Sequence, residues 1–361
     1  DMKVYDELNL SGLVKPGKNM LLITVYYQNQ SSSTYRHGEP GLIYEITADG
    51  TPVCVSSQST YTYKNSAFGD GASMEQVSGQ LGFTFHYDST CASERKERKH
   101  ADLVSKTRVL HPRPVKKLVI HDPAPAKLIY YGDFCDTVSS STPAKKMQVA
   151  SLFHLHRCGK TLKLDNADYK GVNLICEDEN EGICAIIDLG EENTGFLSLD
   201  IELAHACDIF IGWGEHLTDL RVRTSIGERS FAALFRAEAG RNRFENPLFR
   251  CGARYIQLHI YSKRCTLYYA GLRSTLYPLD KIAPFKCADH IHEKIYNVSV
   301  RTLLLCMHEH YEDCPWREQA LYSMDSRNQM LCGYFAFGET QFPRASIELM
   351  AHSIRDDNML E

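Results

Sequence analysis

The hydrophobic period of this chain changes after Pro278, and that change limits the folds open to it. Before Pro278, apolar residues fall in short runs such as GICAIIDLG, CDIFIGWGE and ARYIQLHIY. Runs rich in β-branched and aromatic residues between Gly, Asn, Asp or Glu are typical of strands. After Pro278, the stretch ADHIHEKIYNVSVRTLLLCMHEH (288–310) repeats its apolar residues close to every 3.6 positions, which indicates a helix. A β-rich front followed by helices predicts separate domains.

The 361 residues suffice for two or three domains of ordinary size. The pattern predicts an N-terminal β-sandwich at 1–90, a charged linker at 91–117, a second β-sandwich at 118–278 and a helical part at 279–361. In the first part, NMLLITVYYQ (19–28) is predicted as a strand, and GLIYEITADGTPVCVSS as a hairpin that turns at Ala48-Asp49-Gly50. In the last part, further helices are predicted over 318–338 and 344–356.

Composition and charge exclude several classes of function. The formal net charge of −5 gives no basic field for nucleic acid, and no apolar run has the length of a membrane span. The N-terminus lacks the features of a signal peptide. Thirteen scattered cysteines without a C-x-x-C pair favour a reducing compartment, so the chain is predicted to be cytoplasmic.

No metal or cofactor is predicted. The short His pairs lie two residues apart, a spacing that suits neither a helix face nor a zinc site. The segments GWGE and DLGE carry oxygen atoms of the kind that Ca²⁺ prefers, but they lack a proper ligand loop.

The stretch HEHYEDCPWREQALYSMD (308–325) concentrates acids and aromatic rings. On the predicted helix, Glu318 and Asp325 lie two turns apart on one face, with Tyr322 between them. Asp313 stands at the helix entrance. Its simpler role there is that of a helix cap, and acids at this spacing are also common on solvated faces. The apolar flanks favour a buried helix, however, and paired acids beside aromatic rings are what glycosidic cleavage needs.

The segment DCPWREQALYSMD resembles the motif that opens the catalytic domain of bacterial α-L-rhamnosidases, glycoside hydrolase family 78. The segments IDLGEENTGFLSLDIE, IFIGWGEHLTD and FRCGARYIQLHI resemble the β-sandwich that precedes the helical barrel in that family. SSSTYRHGEPGLIYEI and SGQLGFTFHYD resemble its N-terminal β domain. The resemblance therefore covers nearly the whole chain in order. It implies two β-sandwiches followed by the first helices of an (α/α)6 barrel.

By this resemblance, Glu318 is the general acid of an inverting glycosidase that removes terminal α-L-rhamnose from plant glycosides or polysaccharides. Asp313 and Asp325 would bind or orient the rhamnose, and Tyr322 stands where many members have a Trp that lines the sugar pocket. Arg317 would neighbour the acids and hold one of them ionised.

Trp316 is expected at the pocket wall. The family's catalytic base lies later in the barrel, so the resemblance implies an interior, inactive piece of a longer enzyme. Glycosidases of this kind often dimerise, which leaves a homodimer open.

Two other interpretations remain at this stage. The chain is compatible with a non-catalytic carbohydrate-binding β-sandwich protein whose helices serve as a docking appendage. It is also compatible with an (α/α)6 glycosidase for another sugar, because sugar identity rests on the resemblance alone. Neither interpretation involves nucleic acid or a membrane.

Overall fold

The computed structural model describes residues 3–32, 35, 37–69, 74–92, 98–104, 109–139, 142–177, 179–354, 357 and 359. Two short elements and three longer helices interrupt a mostly β chain. The helical elements are the 3₁₀ turn Ser89–Cys91 and the α-helices α1 (Pro143–Val149), α2 (His290–Leu305), α3 (Ser323–Ala336) and α4 (Gln341–Ala351). The strands are β1 (Lys3–Tyr5), β2 (Glu45–Ala48), β3 (Thr51–Val55), β4 (Tyr61–Thr62), β5 (Gln76–Ser78), β6 (Gly82–Phe83), β7 (His86–Asp88), β8 (Lys99–His100), β9 (Leu110–Pro112), β10 (Val119–Pro123), β11 (Ala126–Cys135), β12 (Ser151–Leu162), β13 (Val172–Ile175), β14 (Gly182–Leu203), β15 (Cys207–Gly214), β16 (Leu217–Thr218), β17 (Arg221–Val222), β18 (Ser225–Ile226), β19 (Arg229–Ser230), β20 (Ala232–Ala237), β21 (Gly240–Ile260) and β22 (Arg264–Leu276).

A ten-stranded sheet dominates the described chain. Its main path runs β10-β22-β14-β21-β15-β20-β7, with β11, β12 and β13 attached beside it. Neighbours are antiparallel except β20 and β7, which pair in parallel. The two longest strands, β14 and β21, shift register between Asp188 and Asn193. Before this bulge β14 pairs with β11, and after it β14 pairs with β22, so one long strand serves two parts of the sheet.

Continuous apolar runs in the sequence reflect burial on both faces of this sheet. Ile183, Ala185 and Ile187 lie in the main core, whereas Cys184 and Ile186 pack on the other face with Phe134. A strand that is covered on both sides loses the apolar–polar alternation of a half-exposed strand. This explains why GICAII has no alternation although it forms a strand.

The helices contribute a smaller core of their own. Tyr277, Leu303, Tyr311 and Phe342 belong to one buried cluster that joins α2, α3 and α4 to the end of the sheet. The three predicted helices are confirmed as elements, but all three differ in extent, since α2 spans only His290–Leu305 of the predicted 288–310. Helix α4 begins at Gln341 rather than 344, and residues 355 and 356 of its predicted end lie outside the described chain.

The expectation that the second helix is largely buried is wrong. Helix α3 buries four residues, of which only Met330 is large; the others are Ser326, Gly333 and Ala336. Its Phe335 side chain is 85% exposed, and Leu331 and Tyr334 are exposed as well. The apolar composition therefore did not predict how much of this helix is exposed to solvent.

The N-terminal part follows the sequence expectations only in places. The hairpin at Ala48-Asp49-Gly50 is confirmed, because β2 and β3 pair around a two-residue loop in which Asp49 and Gly50 have positive φ. The strand predicted over 19–28 is wrong. These residues form no strand, and Met20 and Leu22 are exposed, because no neighbouring strand offers them a ladder. In the described chain, the hydrophobic clusters begin only at Val77.

The described fold is thus mostly β, with the longer helices at its C-terminal end. The predicted linker at 91–117 is described only in part, because residues 93–97 and 105–108 lie outside the described ranges. All thirteen cysteines fall within those ranges, and each is free. Over the same ranges no helix combines the length and apolar character that crossing a membrane requires.

Candidate active site

The acid motif forms a closed loop, here called the acid loop (residues 313–322). The Asp313 backbone N–H donates to the Ala320 carbonyl at 3.0 Å. The Asp313 carboxylate accepts from the Ala320 N–H, also at 3.0 Å. The two ends of the loop are therefore held together by one residue pair, and Glu318 projects from the stretch between them.

The prediction of a helix from residue 318 is wrong. Helix α3 begins only at Ser323, with Tyr322 as its N-cap residue. Gln319 has φ 50°, in the left-handed region that a right-handed helix excludes. Its side-chain amide donates to the Pro315 carbonyl at 2.8 Å and to the Arg250 carbonyl at 3.0 Å, which holds this turn in place.

Two inferences from helical spacing fall with it. Asp313 does not cap a helix, because its carboxylate binds the Ala320 N–H instead. Glu318 and Asp325 are not two turns apart on one helix, since Glu318 lies in the acid loop and Asp325 lies in the first turn of α3, exposed to solvent.

Trp316 anchors the acid loop in the sheet. Its side chain is 2% exposed and packs against Phe231, with ring centroids 4.8 Å apart. Two glycines make room for the loop, because a Cβ on Gly214 would press on the Trp316 ring and one on Gly252 would collide with the Pro315 carbonyl. The expectation that Trp316 lines a pocket wall is therefore wrong in this structure: the ring belongs to the main core.

A buried ion pair fixes the residue before the loop. Glu312 is fully buried, and its carboxylate accepts from Arg250 at 2.9 Å and pairs with His308 at 2.9 Å. Burial alone would raise the pKa of Glu312, but the Arg250 guanidinium and His308 bring it down to about 2. Because Arg250 lies on β21, this pair ties the helical part to the sheet.

Glu318 accepts a hydrogen bond at each carboxylate oxygen. Arg229 donates from Nη2 to Oε1 at 3.2 Å, and the Tyr322 hydroxyl donates to Oε2 at 2.8 Å. The hydrogen bond to Glu318, together with burial, raises the pKa of Tyr322 to about 12. The Glu318 side chain is 23% exposed, so it is fixed by partners yet still open to a ligand.

Elements far apart in sequence meet at Glu318. Arg229 is supplied by the β18–β19 hairpin, and Gln80 of the β5–β6 turn hydrogen-bonds Tyr322. The Ser78 hydroxyl of β5 donates weakly to the Arg317 carbonyl at 3.5 Å. Arg317 was expected to neighbour the acids and to hold one of them ionised, but the guanidinium that contacts Glu318 is that of Arg229. The Arg317 side chain is exposed, and its charge acts on Glu215.

Two further acids, Glu192 and Glu215, lie near the loop. The sequence indicated them only as acids in the Gly-flanked turns DLGEENTG and GWGEHL. Burial, assisted by the charge of Glu215, raises the pKa of Glu192 to about 8. Burial also raises the pKa of Glu215. Arg229 carried no signal, because nothing in the sequence relates it to a residue 89 positions later.

The same turns carry oxygen atoms of the kind that Ca²⁺ prefers. Within the described residues, no three His, Cys, Asp or Glu side chains are grouped as a metal site would need. Glu318 is a carboxylate held beside a cation and a phenol, an arrangement suited to proton transfer.

Comparison with known proteins connects the loop to a family. Residues 280–361 match the family model described as bacterial alpha-L-rhamnosidase 6 hairpin glycosidase domain. A GH78 family rhamnosidase of Bacillus sp. GL1 matches 98% of this chain and 56% of its own, with 17% sequence identity and a TM-score of 0.72. A rhamnosidase from Klebsiella oxytoca with rhamnose bound matches 65% of this chain and 48% of its own, with 18% identity and a TM-score of 0.45. No curated protein matches the chain in sequence.

The resemblance drawn from the acid motif is thereby confirmed. The chain shares its fold with the matched part of the Bacillus rhamnosidase and spans 56% of the length of that protein. Its C-terminal helices match the six-hairpin glycosidase domain of bacterial α-L-rhamnosidases.

Proposed function

We propose that this chain, with its rhamnosidase fold and six-hairpin segment, is part of an inverting α-L-rhamnosidase in which Glu318 is the general acid. The observation that carries the proposal is the position of Glu318. It lies within the segment that matches the glycosidase family, on a loop anchored in the sheet, with both oxygens bound. An acid that is held in one orientation and still open to a ligand is what protonation of a glycosidic oxygen requires.

In the proposed reaction, Glu318 gives its proton to the glycosidic oxygen as the bond to the anomeric carbon breaks. A second carboxylate, roughly 6.5–9.5 Å away, activates water on the opposite face of the sugar, and attack from that side inverts the configuration. None of the described residues is assigned as that second carboxylate.

The remaining residues of the acid loop take supporting roles in this proposal. Asp313 closes the loop through Ala320 and so orients Glu318, while Tyr322 holds its second oxygen. Arg317 of the loop and Asp325 in the first turn of α3 are exposed and are proposed to contact the sugar.

We further propose terminal α-L-rhamnose on plant glycosides or polysaccharides as the substrate. The free cysteines favour a cytoplasmic location. The division at residues 90, 117 and 278, the completion of an (α/α)6 barrel and a homodimer all remain proposals. Sedimentation of the longest natural form tests the dimer.

The test is hydrolysis of p-nitrophenyl α-L-rhamnopyranoside by the longest natural form of the protein and by this 361-residue chain. On a rhamnoside with a sugar leaving group, Glu318→Gln should lower kcat by about 10²–10⁴-fold, the usual worth of general acid catalysis. The matched control is Glu348→Gln, which removes an exposed carboxylate of α4 and should leave kcat unchanged. Proton NMR of the first product formed reads the stereochemistry directly.

Three outcomes separate the candidate functions. Cleavage of a panel of other aryl glycosides, with rhamnosides left intact, would move the assignment to another sugar. If the protein binds sugar but hydrolyses no glycoside, and if Glu318→Gln leaves sugar binding unchanged, the result would favour a carbohydrate-binding protein. Release of the α-anomer of rhamnose first would contradict inversion.

A further inference from the structure

The hydrogen bonds of Glu318 pose a chemical problem for a general acid. Both of its oxygens accept a hydrogen bond, one from a guanidinium and one from a phenol. A general acid must instead carry a proton on one oxygen and direct it at the leaving group. The donor that stands where the glycosidic oxygen must approach Glu318 therefore has to move aside for the reaction.

Arg229 is the donor better placed to leave. Its Nη2–Oε1 distance of 3.2 Å is longer than the Tyr322 contact of 2.8 Å. In the described chain, Nη2 is the one nitrogen of Arg229 with a hydrogen-bond partner. The Arg229 side chain is 29% exposed, and none of its other nitrogens is a buried atom that lacks a hydrogen-bond partner. The guanidinium thus has free donors that face solvent beside the acid.

The backbone beneath Arg229 is pre-organised. The β18–β19 hairpin turns through Gly227 and Glu228, and Gly227 has φ +58°, as the first central position of a tight hairpin turn requires. Ser230, next to Arg229, is buried, so the strand is anchored while the guanidinium stays accessible. A cation held in this way can exchange one anionic partner for another without a change in the fold.

The chemistry of the leaving group then decides which group binds the Arg229 guanidinium. Glu318 must approach the glycosidic oxygen, so the departing sugar lies on the Glu318 side and within reach of a group 3.2 Å from that carboxylate. A carboxylate is the partner that a guanidinium binds best, through two parallel hydrogen bonds. Arg317 adds a second exposed guanidinium, on the acid loop that carries Glu318.

We propose, resting on the function above, that Arg229 makes this site selective for rhamnosides whose leaving group carries a carboxylate, as a uronic acid does. The uronate draws Arg229 away from Glu318, which opens that side of the carboxyl group to the glycosidic oxygen. This binding step exchanges one ion pair for another and makes no covalent bond. A neutral leaving sugar leaves Arg229 on Glu318 and is cleaved more slowly.

The experiment compares kcat/KM for two disaccharides of the same linkage, rhamnosyl-glucuronate and rhamnosyl-glucose, with the longest natural form of the protein. The uronate is expected to be preferred on the order of tenfold or more, the worth of one charge-assisted hydrogen bond. Arg229→Gln should bring the ratio close to one, and Arg229→Lys should keep part of it. Because the ratio compares two substrates of one variant, any effect on the orientation of Glu318 cancels.

The matched control is Arg264→Gln, at an exposed position at the start of β22, which should leave the preference as it is in the parent. A ratio near one in the parent, or an unchanged ratio in Arg229→Gln, overturns the inference. If p-nitrophenyl α-L-rhamnopyranoside is still cleaved in that case, the proposed function stands and only the selectivity is refuted. If no rhamnoside is cleaved, the proposed function itself fails.

Discussion

Replacing Glu312 by Gln should destabilise the protein by about 3 kcal/mol, because the change removes one charge of a fully buried ion pair. Arg250 is 3% exposed at its side chain and would keep its charge without a carboxylate partner. Gln has nearly the volume of Glu, so no cavity term adds to the cost.

The lowered pKa of Glu312 reflects the same ion pair and agrees with this magnitude. It is about 2 in the folded protein, against an ordinary value of 4.5. Such a difference corresponds to about 3 kcal/mol of stability. The sign follows from the lowered pKa: this stability is fully present above pH 4.5 and is lost as the pH falls from 4.5 towards 2.

The assay is urea unfolding at neutral pH and at several points below pH 4.5, followed by circular dichroism. Glu348→Gln, which breaks an exposed i,i+4 pair with Arg344, is the matched control and should cost about 0.5 kcal/mol or less. Adding Arg250→Met to Glu312→Gln should recover part of the loss, because the unpaired buried charge is then removed. A loss below about 1 kcal/mol for Glu312→Gln would refute the reasoning.

Three further predictions concern other parts of the chain. Burial lowers the pKa of His259 to about 3, so the free energy of unfolding should fall by about 2 kcal/mol between pH 7 and pH 5 as the unfolded state takes up a proton. His259→Phe should flatten this slope in urea unfolding, and an unchanged slope would contradict the assignment. Gly252→Ala should displace the acid loop, because its Cβ would meet the Pro315 carbonyl, and should cost about 1–3 kcal/mol together with most of the activity. Gly41→Ala, at a position with open space, is the control, and equal stability and turnover in both variants would argue against the collision. The phenol of Tyr322 should titrate near pH 12 in carbon NMR and move towards 10 in Glu318→Gln, whereas no movement would place its cause elsewhere.

Local signals in the sequence predicted elements well where the cause of the structure was itself local. The Asp49-Gly50 turn is such a case, since its two positive φ values suit these residues and need no distant partner. The helix over 290–305 is another, because its period is visible in its own residues. The strand predicted over 19–28 failed for the complementary reason: a strand needs a neighbour, and composition does not supply one.

The start of α3 shows the limit more sharply. Residues 318–322 have the composition of a helix, yet Gln319 turns the chain the other way. The contact that holds it runs from the Gln319 amide to the carbonyl of Arg250, 69 residues earlier. Propensity is worth only tenths of a kcal/mol per residue, so one buried pair of hydrogen bonds is enough to override it.

The same reasoning explains why the acid was found and its partner was missed. Glu318 is part of a motif whose residues are adjacent in sequence, so a resemblance could identify it. Arg229 reaches Glu318 only because the sheet and the acid loop are packed together, through Trp316 against Phe231 two residues from Arg229. Contacts of this kind depend on how the two parts of the fold dock, and docking is decided by burial and not by local pattern. A residue that tunes this acid is therefore to be sought on the β hairpins around it rather than within its own motif.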